Sequence, residues 1–164
     1  MTPEIVAQSR SLAHVGHIQP AYHERRVSNQ TPTMWAKRAI DATHVQRKLG
    51  DLMTPQALQV VLAVYEQHGI TMQGIEKRTR LALGSVSRNL MSLGEWHRLG
   101  KPGLGLVETV DDPTERRRKI AFLTKKGREF VEEYLSALTG ETIIIDSPTS
   151  RDFLSKTYSA NIRR

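Results

Sequence analysis

From Thr33 onward, apolar residues recur at intervals of three and four. Trp35, Ala39, Ala42, Val45, Leu49 and Leu52 fall on one face of a helix over 33–51, with Gly50 as its stop. Thr54-Pro55 then supplies a cap and a first-turn proline. Leu58, Val61, Leu62 and Tyr65 mark the buried stripe of a second helix, which ends near His68-Gly69, where glycine suits a left-handed backbone. Thr71 can cap a third helix that carries Met72 and Ile75 and ends near Thr79. After a break at 80–82, a fourth runs from about Leu83 to Leu93. Val86, Leu90 and Leu93 face inward; Ser85, Ser87, Arg88, Asn89 and Ser92 face outward.

Beyond Gly94 the period changes. Residues 103–110 read as a strand with a glycine-rich approach, and Asp111-Asp112-Pro113-Thr114 is turn chemistry. Lys119-Ile120-Ala121-Phe122-Leu123 alternates as a half-buried strand does. The two form a hairpin with a basic tip. Thr124 caps a last long helix with Phe130, Val131, Tyr134, Leu135 and Leu138 on its apolar face. At the other end, Thr2-Pro3-Glu4 opens a short helix to about His14, and 15–31 reads as loop or arm. In the tail, Ile143-Ile144-Ile145 has strand propensity and 151–158 suits a short helix. The expected division is an arm over 1–31, a domain over 32–138 and a tail over 139–164.

Four helices, a hairpin and a helix, in that order, make a mainly α fold with a small β-hairpin wing: a winged helix-turn-helix. Composition sharpens the picture. The chain has 164 residues and a net charge of +7, which favours a polyanionic partner, either nucleic acid or an anionic membrane surface. No apolar run approaches the roughly 20 residues of a membrane span, and the first residues lack the pattern of a secretory signal. The expected location is therefore the cytoplasm, in association with the nucleoid. With no cysteine, disulfides, thiolate metal sites and thiol nucleophiles are excluded.

The outward face of the fourth helix suits a major groove. Arg88 can pair with guanine, Asn89 with adenine, and Ser85 and Ser87 with bases or phosphates. At the hairpin tip, Arg116, Arg117, Arg118 and Lys119 follow Glu115. Four adjacent cations repel one another, and a phosphate-lined groove relieves that repulsion. The narrow minor groove of A·T-rich DNA, where arginine is favoured, is the expected site for Arg116, Arg117 and Arg118. Lys119, Lys125, Lys126 and Arg128 are candidate phosphate contacts.

Asp112-Pro113-Thr114-Glu115-Arg116-Arg117, followed by Leu123-Thr124-Lys125-Lys126-Gly127-Arg128, resembles the wing signature of MarR-type transcriptional regulators. The turn and helix from Leu81 to Leu93 are similar to that family's recognition helix, and the resemblance spans roughly 33–138. It implies a homodimer, through helices around 33–50 and 124–138, that binds a pseudo-palindromic double-stranded operator as a repressor or activator, a repressor being the expectation here. It also implies that a wing arginine matching Arg116 or Arg117 enters the minor groove, that Glu115 supports the wing by holding an arginine, and that a small-molecule effector can bind. The chain departs from the family in having Glu115 for the wing aspartate, a longer N-terminal arm, and the isoleucine run where members continue as helix.

No enzyme is expected. No catalytic constellation appears, and Gly100-Lys101-Pro102-Gly103 lacks phosphate-loop spacing. His14 and His17 give two metal ligands but not a complete site, so no metal or cofactor is expected. Two other readings stay open: a winged helix serving plasmid or phage replication or partition, and a winged helix that binds an acidic protein. Replacing Arg116 and Arg117 with Ala should weaken binding to every duplex and flatten the dependence of affinity on salt; an unchanged slope would remove the wing from the DNA interface.

Overall fold

The computed structural model describes residues 31–97, 100–115 and 117–155. The expected N-terminal helix and arm, the His14–His17 pair, Arg116 and the end of the expected tail helix lie outside them.

Helix α1, Pro32–Arg47, starts on a proline and buries Ala42 and Val45. It lies along the last helix, α5, Lys125–Thr139, where Lys48 just past its end pairs with Glu133. Helix α2, Pro55–Glu66, is capped by the Thr54 hydroxyl, which accepts from the Ala57 N–H at 3.1 Å. Ala57, Val60, Val61, Ala63 and Val64 are buried, because α2 is the central rod against which three other helices and the sheet pack. Helix α3, Met72–Thr79, is capped in the same way by Thr71, at 3.0 Å from the Gly74 N–H. Helix α4, Leu83–Leu93, buries Val86, Leu90 and Leu93 and leaves its polar face outside. Val86 and Leu93 are fully buried, each contributing about 1.5–3 kcal/mol.

Three antiparallel strands complete the domain, in the order β1-β3-β2. They are β1, Ile70–Thr71, β2, Val107–Asp111, and β3, Lys119–Leu123. The register sets Ile70 and Thr109 on either side of Ala121, with Asp111 opposite Lys119 at the tip. The expected alternation of β3 does not hold: Ile120, Ala121, Phe122 and Leu123 are all buried. Ala121 and Leu123 join the helical core. On the other face, Phe122 meets Phe153, ring centroids 5.3 Å apart, and packs beside Gly69, whose φ is +75°. Residues 150–155 are helical and bring Phe153 there, so β3 is a central strand covered on both sides.

The strand expected over 103–110 begins only at Val107. The four residues before it bond to the end of α4. The N–H groups of Gly103, Leu104, Gly105 and Leu106 donate to the carbonyls of Glu95, Ser92, Gly94 and Leu93 at 2.8–2.9 Å. Their own carbonyls receive α5. Leu106 accepts from the Thr124 N–H at 3.0 Å and Gly105 from the Thr124 hydroxyl at 2.7 Å. That hydroxyl also caps α5 by accepting from the Gly127 N–H at 3.0 Å. The approach is so close that a Cβ on Gly127 would collide with the Leu106 carbonyl, which explains the glycine of the Leu-Thr-x-x-Gly pattern. The isoleucine run is likewise no strand. Ile143 and Ile145 donate their N–H groups to Ser136 Oγ and Glu132 Oε1 on α5, at 2.9 and 2.8 Å, so they have no ladder to join.

Gly127→Ala should therefore destabilise the protein by about 1–3 kcal/mol through forced displacement. Gly84→Ala, where a Cβ meets open space, should be neutral or stabilise by about 0.4–1 kcal/mol. Chemical denaturation measures both, and equal effects would contradict the close approach.

Candidate nucleic-acid interface

Helices α3 and α4 form the helix-turn-helix, and β2 and β3 form the wing. On α4, Arg88 is exposed and its Nη2 donates to Ser85 Oγ at 3.1 Å. Asn89 turns back along its own helix, its Nδ2 donating to the Ser85 carbonyl at 2.8 Å. Its amide oxygen keeps acceptor capacity, but the bidentate adenine contact expected of Asn89 requires it to release that carbonyl first. Ser87 is half-buried and faces the sheet with Leu90 and Met91. Arg88 is thus the exposed one of the four, bonded to a half-buried Ser85.

The wing tip is organised by a residue whose role the sequence reading missed. Asp112 is 6% exposed and accepts four hydrogen bonds. Its Oδ1 takes the N–H and hydroxyl of Thr114 at 2.8 and 2.6 Å, and its Oδ2 takes Nε and Nη2 of Arg118 at 2.8 and 2.6 Å. The Thr114 hydroxyl most of all, with the Thr114 N–H and the Arg118 guanidinium, lowers the Asp112 pKa to about 2 against the opposing effect of burial. Backbone bonds close the same turn: Asp112 N–H to the Arg118 carbonyl and Arg118 N–H to the Glu115 carbonyl, both at 2.8 Å. Glu115 Oε2 lies 3.2 Å from Arg118 Nη1. The arginine-holding role expected of Glu115 is therefore shared, and Asp112 has the larger part. Arg118 is engaged inside the wing, whereas Arg117 is exposed at the tip. The signal for Asp112 was available: Asp two residues before Thr in a Pro-containing turn is an Asx turn.

Every expected phosphate contact has a partner within the chain. Lys126 Nζ donates to the Leu104 carbonyl at 2.8 Å and Arg128 Nη1 to the Leu123 carbonyl at 3.1 Å. Arg128 also lies close enough to His68 to help burial, the larger cause, hold that imidazole below its usual pKa. Lys119 meets Asp111 at 3.2 Å, and Lys125 meets Glu129 at 3.8 Å. Such exposed pairs are worth little, so a phosphate can displace them.

A further cation lies at the turn between α3 and α4. Arg80 is exposed and has a φ of 60°, left-handed in a residue that is not glycine. Periodicity carries no trace of such a backbone, so only the structure reveals it. Among the described residues, no three acids or histidines gather as a metal site, and no helix is long and apolar enough to cross a membrane.

No protein-family model and no curated protein sequence matches the chain. Solved structures do. A transcriptional regulator from Thermotoga maritima is 18% identical over 77% of this chain and 83% of its own, with a TM-score of 0.53. A structure described as a MarR family transcription regulator is 16% identical over 77% of this chain and 78% of its own, with a TM-score of 0.51. The YusO protein from Bacillus subtilis is 17% identical over 80% and 87%, also at 0.51. These likenesses show that the chain has the winged helix-turn-helix fold of MarR-type regulators.

The pH behaviour of the clamp follows from the sign of the shift. An unfolded aspartate titrates near 3.9. The stabilisation from Asp112 is thus complete above about pH 4 and is lost as the pH falls through about 2. An NMR titration of the Asp112 carboxyl carbon should give a midpoint near 2, with the Arg118 side-chain signals moving together with it; a midpoint near 4 would mean the clamp is open in solution.

Proposed function

We propose that the chain is a sequence-specific, double-stranded-DNA-binding transcriptional regulator, acting as a homodimer on a pseudo-palindromic operator. The observation that carries this reading is the pairing of α4's exposed Arg88, bonded to Ser85, with a wing whose tip is clamped by Asp112. The helix enters a major groove, which admits a helix of this size. Arg88 reads guanine through its paired N–H groups, with Ser85 steering the guanidinium. The wing lies along the adjacent minor groove and presents Arg117, while Arg118, Asp112 and Glu115 hold its shape. Arg80 and the displaceable Lys119 and Lys125 neutralise phosphates and set the register. Two described regulators with the same fold lend support to this reading over replication or protein-interaction roles, and an enzyme is not proposed.

The dimer rests on α1 and α5. On α1, Trp35 is 43% and Ile40 56% exposed, and on α5 Leu138 is half-buried. A second copy that covers this surface removes it from water, and it spaces two recognition helices for successive major grooves.

With a selected operator in hand, Arg88→Ala should cost about 1–3 kcal/mol at one base position per half-site and relax specificity there, read by anisotropy against single-base variants. In the same titrations, Arg80→Gly, which relieves the left-handed strain, should weaken all duplexes alike. A uniform loss for Arg88→Ala would reduce Arg88 to a phosphate contact.

A further inference from the structure

Among the described residues, every glycine but one has a reason inside the chain. Gly50, Gly69, Gly100, Gly105 and Gly140 hold a positive φ, which a side chain resists. At Gly74, Gly94, Gly103 and Gly127 a Cβ would stand within 3.3 Å of another atom. Gly84 has neither reason. Its backbone is helical, and a Cβ there would meet nothing within 4 Å. Glycine is a poorer helix former than alanine, so the fold gains nothing from it. The remaining use of glycine is to let another molecule approach the backbone closely.

Gly84 stands where such an approach has a purpose. It lies in the first turn of α4, four residues before Arg88, so the two share one face of the helix. That face is opposite the buried Val86, Leu90 and Leu93. Helical side chains lean toward the N-terminus of their helix. The Arg88 guanidinium does so, reaching back to Ser85 Oγ at 3.1 Å, and therefore lies beside the turn that holds Gly84. A side chain at 84 would rise into the space through which a base edge comes to that guanidinium. The start of α4 is bare in a second respect. Thr54, Thr71 and Thr124 cap α2, α3 and α5, whereas α4 begins on Ala82, without a capping side chain, and continues with Leu83 and Gly84. All three are exposed, so this end of the helix presents backbone and apolar groups.

We infer that Gly84 sets the depth of α4 in the major groove. Its bare Cα is the point of closest approach to the base edges, and Arg88 reaches guanine because nothing at 84 holds the helix away. Gly84 is thus a positioning residue for Arg88, present against the preference of the helix. The inference rests on the reading of the chain as a sequence-specific duplex binder. Long, flexible cations can follow a small outward shift of the helix and keep their phosphates, but a bidentate base contact cannot, so the effect falls on specificity.

The test uses the full chain, an operator duplex selected by the wild type from random sequence, and a scrambled duplex of equal length. Anisotropy reads affinity and thermal melting reads stability. Gly84→Ala should melt no lower than the wild type. It should bind the operator at least about fivefold more weakly, yet bind the scrambled duplex within about twofold of the wild type. Gly84→Leu, also a good helix former but larger, should lose more. In the Arg88→Ala background, Gly84→Ala should cost less than it does alone, because the contact it disturbs is already gone. A smaller loss on the operator, an equal loss on both duplexes, a lower melting temperature, or an undiminished loss in the Arg88→Ala background would each overturn the proposal. A wild type that prefers no duplex would overturn the underlying reading and the proposal with it. A wild-type preference that Gly84→Ala leaves intact would overturn the proposal alone.

Discussion

The recognition helix, the wing and the last helix hang on one short segment, residues 103–106. Its N–H groups take up the carbonyls that α4 would otherwise leave unsatisfied at its end. Its carbonyls receive Thr124 and Lys126 at the start of α5. Its last residue leads directly into β2. The helix proposed to read DNA, the hairpin proposed to flank it and the helix proposed to carry the second copy are therefore fixed to one backbone. Gly127 makes this possible, because nothing larger than hydrogen fits between α5 and Leu106.

The wing depends on a second constraint of a different kind. A run of four cations at the end of a hairpin is electrostatically unfavourable by itself. Asp112 removes one of them from the run by drawing Arg118 back into the turn, and Glu115 lies against the same guanidinium. What remains at the tip is a smaller charge on a shaped support. The buried carboxylate tolerates burial because each of its oxygens accepts two hydrogen bonds.

The helices were legible because their signals are local. Thr54, Thr71 and Thr124 all cap as their spacing suggests, and the inward face of α4 is Val86, Leu90 and Leu93 as read. The misreadings share a cause: the partner is remote in sequence. Residues 103–106 look like strand, but their hydrogen bonds go to α4 and α5. Ile143–Ile145 look like strand, but their N–H groups meet side chains of α5. The alternation of β3 disappears because both its faces are covered: Ala121 and Leu123 pack into the helical core, and Phe122, on the other face, meets Phe153. In the candidate interface, Arg88 and Arg117 stand exposed, whereas Arg118, Lys126 and Arg128 are held by groups no periodicity could name. Arg80 went unnoticed because its backbone, not its neighbours, is what sets it apart.

The central claim is that this surface reads sequence and does more than attract phosphate. Fluorescence anisotropy of the full chain tests it most directly, with the DNA upstream of its own coding region and a scrambled duplex, each at low and moderate salt. The account predicts that upstream DNA binds about 10³-fold more tightly than the scrambled duplex and that this difference survives moderate salt. Equal affinities that vanish together as salt rises would contradict it, leaving only the electrostatics of a basic surface.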